Sequence, residues 1–134
     1  MAAKRREIWD GTGFNDPTTI PALVRRREEQ GFDGRNFGDS QNRYGDPFVS
    51  MGLAVGATST LRFCTGVANP VTRHPALMAA CIGTVQVASG GRTELGIARG
   101  DSALAYLGMA PAPLDTFERY ARALQGYLAG EEVQ

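Results

Sequence analysis

Apolar and polar positions along this chain fall into two alternating kinds of stretch. Short runs rich in β-branched and aromatic residues, bounded by glycine and aspartate, predict strands at Glu7-Ile8-Trp9, Phe32 to Gly38, Leu61 to Val67 and Thr93 to Ala98. Between them lie longer segments with helix start and stop signals. Thr18 or Thr19 caps a helix that runs through Gln30 and stops at Gly31. Asp46-Pro47 supplies the cap and first position of a second helix reaching about Thr58. A third helix covers Pro75 to Ser89, closed by Gly90-Gly91, and Gly100-Asp101-Ser102 opens a short helical turn. Beyond the Pro111 and Pro113 linker, Asp115 to Ala129 form a last helix ending at Gly130. Leu114, Phe117, Ala121, Leu124 and Leu128 recur there at helical spacing and predict its inner face.

Four strand-then-helix units in strict alternation predict an α/β fold with a parallel sheet and right-handed crossovers. Two closures fit: a doubly wound sheet, or half of a (β/α)8 barrel, since a whole barrel takes roughly 250 residues and this chain has 134. No G-x-G-x-x-G follows the first strand, because Gly11-Thr12-Gly13-Phe14-Asn15-Asp16 breaks the third glycine position.

Composition changes this picture little but excludes several functions. With 43% apolar and 21% charged residues the chain reads as one ordinary globular domain over 1–134. Fourteen basic residues, of which only Lys4 is lysine, balance fourteen acidic ones, so no electrostatic argument favours nucleic acid or an anionic membrane. No run approaches the ~20 apolar residues of a membrane span, and no signal-peptide core opens the chain, so a cytoplasmic location is expected. Cys64 and Cys81 have no CxxC spacing and no histidine beside them, so neither a metal site nor a disulfide is expected.

Candidate chemistry gathers around Thr65-Gly66-Val67-Ala68-Asn69-Pro70-Val71-Thr72-Arg73-His74-Pro75, a strand, a polar loop at its C-terminal end and a helix start. Ligands of parallel α/β folds sit outside the carboxyl ends of strands. Asp39 after the second strand, Asn69 and Thr72 after the third, and Arg99-Gly100-Asp101-Ser102 after the fourth should converge at that rim. Gly100 before a helix start also suits an anion such as a phosphate. His74, directly before Pro75, reads as a helix-terminal residue rather than a general base. Gly52, Gly56 and Gly83 inside helices read as close packing of helix on sheet.

These residues match a known pattern. Thr65-Gly66-Val67, Asn69 to Pro75, Ser89-Gly90-Gly91-Arg92, Leu95-Gly96-Ile97, Arg99 to Leu104, Gly31-Phe32-Asp33-Gly34 and Gly38-Asp39-Ser40-Gln41 resemble the luciferase-like monooxygenase superfamily. The branch they resemble is that of the deazaflavin-dependent reductases related to methylenetetrahydromethanopterin reductase. The resemblance implies a (β/α)8 barrel of the TIM type, an oxidoreductase that binds FMN or coenzyme F420 at the C-terminal rim, and a small-molecule substrate. It implies a non-prolyl cis peptide at Gly66-Val67 backing the ring. Asp39 and Asn69 would face the ring, Asp101 would handle a proton near the transferred hydride, and Gly100 and Ser102, with Thr72, would help seat cofactor or substrate.

Against that family the chain supplies four units of eight, an N-terminal half. Arg35-Asn36 stand in the second strand, and Arg27 and Gln30 on the first helix, where relatives carry apolar or small residues, which places them in solvent beside an open half-barrel or strains the fold. Two functions follow: the N-terminal half of a hydride-transferring flavin or deazaflavin oxidoreductase, with Asp39 and Asp101 as its catalytic acids, or a non-catalytic half-barrel. The second would associate through its open first and fourth strands with another copy or a complementary barrel half.

Overall fold

Four short strands lie side by side in one parallel sheet in chain order, β1 (Trp9–Asp10), β2 (Gly34–Phe37), β3 (Arg62–Thr65) and β4 (Thr93–Glu94). The computed structural model describes residues 5–11, 13 and 16–133, so Lys4 and Thr12, Phe14 and Asn15 of the glycine-rich stretch lie outside it. Register runs Trp9 beside Gly34, Gly34 beside Arg62, and Phe63 beside Thr93. An isolated bridge between Ala68 and Ile97 carries β3 and β4 pairing further toward their C-terminal ends. The crossovers are α1 (Ile20–Glu29), α2 (Pro47–Val55) and α3 (Pro75–Ala88); α4 (Asp101–Ala105) is short, and α5 (Leu114–Ala129) packs against α3. This is half the eight-stranded barrel arrangement, not a doubly wound sheet with helices on both faces. The fold expected from the alternation is present, with each strand shorter than its apolar run.

Helix ends follow their sequence signals with one exception. Asp46 caps α2, its carboxylate accepting from the backbone N–H of Phe48 at 2.9 Å and of Val49 at 3.1 Å. His74 caps α3, its Nδ1 accepting from Ala76 N–H at 3.2 Å. The exception is α1, where Thr19 occupies the cap position without a side-chain bond. Asp16 does the capping work one turn earlier, accepting from Thr18 N–H and Oγ1. At the other ends Gly31 and Gly130 take φ of 83° and 74°, a left-handed conformation in which a side chain would be strained.

Alternation along the strands divides the sheet into two faces. Phe37, Leu61 and Phe63 point under the helices and pack with Val24, Met51 and Met78, all essentially fully buried. Each such side chain contributes about 1.5–3 kcal/mol by leaving water. On α5 the inner stripe is Phe117, Tyr120, Leu124 and Tyr127. The expected anchors Leu114 and Leu128 are instead 70% and 50% exposed. The stripe is rotated because Tyr120 inserts toward the β3–α3 loop, its hydroxyl donating to Arg73 O at 2.9 Å. Gly52, Gly56 and Gly83 have open space where a side chain would stand, which corrects the close-packing expectation. Close approach occurs at strand glycines: a Cβ on Gly96 would lie 2.3 Å from Thr65 O, and Trp9 covers Gly34.

The face turned away from the helices carries charge. Arg62 bridges Glu7, at 2.9 Å, and Glu94, and its guanidinium lies 5.2 Å from the Trp9 ring. Arg35 departs from expectation. It is neither in solvent nor uncompensated: at 3% exposure it pairs with Asp10, which also accepts from Arg27 Nε at 2.9 Å. Arg27 in turn donates to Gln30 Oε1 at 2.9 Å, so the polar groups of β2 and α1 satisfy one another under the sheet's first strand.

Two side chains lock the end of the sheet remote from those loops. Glu28 accepts from Ser59, Thr60 and Leu61 N–H and from Thr60 Oγ1, closing the α2–β3 turn. Burial opposes its charge, but these donors outweigh it and hold its pKa down to about 2. Arg92 spreads its guanidinium over Ser89 O, Leu61 O, Val55 O, Thr58 O and Thr58 Oγ1, using the whole fork of donors.

Candidate functional site

At the C-terminal ends of β2, β3 and β4 the three expected loops meet around a cavity of about 250 Å³. Gly38, Asp39 and Ser40 form one wall, Gly66 and Val67 the floor, and Ala98 with Gly100 to Ala103 the opposite wall. At this rim the Gly66–Val67 peptide is cis, and Gly100 takes φ of 94°. Gly100 also has no room for a side chain, since a Cβ would stand 2.9 Å from Asn69 Cβ and 2.8 Å from Leu104 Cδ1. Val67 is an apolar floor, 44% exposed to the cavity and solvent.

Of the residues singled out from sequence, Asp39, Gly66, Val67, Gly100, Asp101 and Ser102 line this cavity. Asn69 and Thr72 do not. Asn69 is fully buried behind the wall, where its Oδ1 accepts from Val71 N–H at 3.0 Å, Thr72 N–H at 3.1 Å and Thr72 Oγ1 at 3.3 Å. It shapes the β3–α3 loop, and Thr72 is its partner in that turn. Asn69 Nδ2 is buried with no hydrogen-bond partner among the described residues.

Asp39 is buried to 2% exposure and both its oxygens are engaged. Arg73 pairs with Oδ2, and Gln41 Nε2 donates to Oδ1 at 2.7 Å. Arg73 also reaches Asp46 at 2.5 Å and lies 5.2 Å from the Phe48 ring, so one guanidinium ties the β2 loop to the α2 cap. The pair is lopsided. Burial pushes the Asp39 carboxyl up despite Arg73, whereas burial of Arg73 is outweighed by Asp46 and Asp39, which hold it firmly charged. A smaller cavity of about 140 Å³ lies on the other side of this cluster, between Asp39, Tyr44, Asp46 and Arg73.

Asp101 opens α4 and lines the cavity as an exposed carboxylate with no side-chain partner among the described residues. The helix behind it is five residues long, with Gly100 at its N-terminal cap position. Sequence reading passed over Arg73 and Tyr44. Arg73 sits inside the quoted loop motif, and a lone strong base facing two loop carboxylates was the available signal; nothing local marked Tyr44, which enters the cavity wall through the turn at Ser40–Tyr44. Cys64 and Cys81 are half-buried free thiols, and burial pushes both up from the ordinary cysteine range.

Comparison with known proteins places this geometry. The family model for luciferase-like monooxygenases matches residues 1–134. The 5,10-methylenetetrahydromethanopterin reductase of Methanolobus tindarius is 36% identical over 122 residues, 89% of this chain and 37% of that protein. Among solved structures, the coenzyme F420 dependent tetrahydromethanopterin reductase from Methanopyrus kandleri superposes with a TM-score of 0.81 at 25% identity, covering 92% of this chain and 40% of the other. A type II Baeyer–Villiger monooxygenase of Pseudomonas putida in complex with FMN superposes with a TM-score of 0.72 at 18% identity, over 88% of this chain and 38% of that one, a likeness of fold. The chain thus spans about two fifths of the length of these relatives.

Proposed function

We propose, because the chain belongs to the luciferase-like monooxygenase family, that its rim cavity seats the ring of a flavin-type cofactor and that residues 1–134 form the N-terminal half of a hydride-transferring oxidoreductase. The observation that carries the reading is the cavity itself: an apolar floor at Val67 beside the exposed Gly66, flanked by loops that reach it through Gly38 and Gly100. At about 250 Å³ it is below the roughly 300–1,000 Å³ of complete ligand pockets, which suits a surface that takes one face of a tricyclic ring.

When bound, FMN or the deazaflavin F420 supplies the hydride chemistry. The relatives named for F420 favour the deazaflavin. Val67 and Ala98 would exclude water from one ring face. Asp101 would hold or move a proton at its carboxylate, because no side chain among the described residues occupies it. Asp39, with both oxygens engaged, would act at the cavity through a fixed negative group beside Ser40 rather than by exchanging a proton freely. The substrate would be a small molecule, and activity of the whole enzyme would require the remaining barrel units, on the same polypeptide or on a partner.

The test is binding. The chain titrated with FMN and with F420 should quench their fluorescence saturably, and Ala98→Trp, which fills the cavity, should remove the effect while leaving the thermal midpoint within a few degrees. Absence of saturable quenching by either cofactor refutes the reading.

A further inference from the structure

Arg43 precedes Tyr44, a residue of the cavity wall, on the turn that starts at Ser40. The turn that carries it is fixed, with Arg43 and Tyr44 N–H both donating to Ser40 O at 2.9 Å. Its guanidinium lies 5.5 Å from the Tyr44 ring and 5.6 Å from the Tyr106 ring, and Nη1 donates to the Tyr106 hydroxyl at 3.1 Å. Asn42 Nδ2 donates to Tyr106 O at 3.0 Å, so loop and α4 are clasped together around the cation. A long arginine side chain loses about 1.5–2 kcal/mol of rotamer freedom when fixed in this way. Arg27, Arg35, Arg62 and Arg73 are each held against a carboxylate, and Arg92 is held against backbone carbonyls and the Thr58 hydroxyl. Arg43 has no carboxylate partner among the described residues.

We propose that Arg43 is the seat of an oxyanion, a phosphate or carboxylate, carried by the molecule that occupies the cavity. Two tyrosine faces and one hydroxyl hold the guanidinium plane, and no other described residue takes its remaining N–H donors, which are available for a two-point contact. Tyr44 is shared between this seat and the cavity wall, so ring and anion would lie within one ligand's reach. The seat belongs to the cofactor tail or to an acidic substituent of the substrate; both present the same chemistry. The inference rests on the cavity being a ligand site, and it fails independently of which cofactor binds there.

Two measurements separate the sources. The first follows the Arg43 Nε–Hε signal by ¹H–¹⁵N NMR, assigned by its loss in Arg43→Gln, while inorganic phosphate is added. The second compares FMN with riboflavin, which lacks only the phosphate, in the native chain, in Arg43→Gln and in Arg43→Lys. A phosphate-dependent shift, with about a ten-fold preference for FMN that Arg43→Gln abolishes and Arg43→Lys partly keeps, supports the seat and assigns it to the cofactor tail. The same shift with both flavins bound and a flavin preference indifferent to Arg43 supports the seat and assigns it to the substrate. No response of Arg43 to phosphate, together with an unchanged FMN-to-riboflavin ratio, overturns it.

Discussion

Arg73 is the side chain whose removal tests the site's construction most directly. Its own side chain is 10% exposed and that of Asp39 1%, so Arg73→Met leaves a buried carboxylate with only Gln41 for company. Breaking a buried pair by deleting one partner costs about 3–5 kcal/mol. The lower end applies here, because Asp46 is 42% exposed and rehydrates. A loss of about 3 kcal/mol lowers the melting midpoint of a chain this size by roughly 10 °C. The pH dependence has a defined sign. Asp39 already has a folded pKa above its ordinary value, so its charge opposes folding increasingly as pH rises above that of a free carboxylate. Without Arg73 that pKa rises further, and the penalty should shrink between pH 8 and pH 5 as the carboxyl takes up its proton. Asp39→Asn in the Arg73→Met background should recover most of the loss, since an amide needs no counter-charge. Urea unfolding of the native chain, both single variants and the double variant at the two pH values forms the complete cycle. Equal destabilisation at pH 5 and pH 8, or additive losses in the double variant, would refute the reasoning.

Two further perturbations address the frame. Glu28 has its pKa held at about 2, so its stabilisation should be complete above the unfolded value near 4.5 and vanish as pH falls from there toward 2. After allowance for solvent screening of a partly exposed carboxylate it amounts to about 1–2 kcal/mol, and acid titrations of the native chain and Glu28→Gln should converge at the low end. Gly96→Ala should cost about 2–4 kcal/mol in chemical denaturation, because its Cβ would meet the Thr65 carbonyl at 2.3 Å and the backbone there cannot yield cheaply. Gly83→Ala, with nothing nearby, should be neutral or mildly stabilising.

The order of strands, the sense of the sheet and the meeting of three loops at one rim were legible because each rests on local signals: Asp46-Pro47, His74-Pro75 and Gly130 mark helix ends wherever they occur. Closure was not legible, since a parallel sheet and half a barrel share one alternation, and only the common helix-covered face tells them apart. The α5 stripe was misplaced at Leu114 and Leu128 because periodicity ranks leucine above tyrosine, whereas Tyr120 wins the inner position through its hydroxyl bond to Arg73 O. Arg35 looked like a liability because its partner Asp10, which also accepts from Arg27, lies 25 positions away in sequence and meets it only in the folded chain. Asn69 and Thr72 were placed at the rim correctly but face the loop rather than the cavity, a distinction of side-chain direction that spacing does not encode.

The bare face of the sheet sets terms for any neighbour. Among the described residues Glu7, Arg62 and Glu94 leave one surplus negative charge there, with the Arg62 guanidinium over Trp9. Two identical copies meeting through this face would press like charges together in a dehydrating seam, whereas a counterpart bringing a single lysine or arginine would neutralise the layer. Pairing should therefore be selective for unlike halves, and added salt should ease a like-with-like encounter while weakening the matched one.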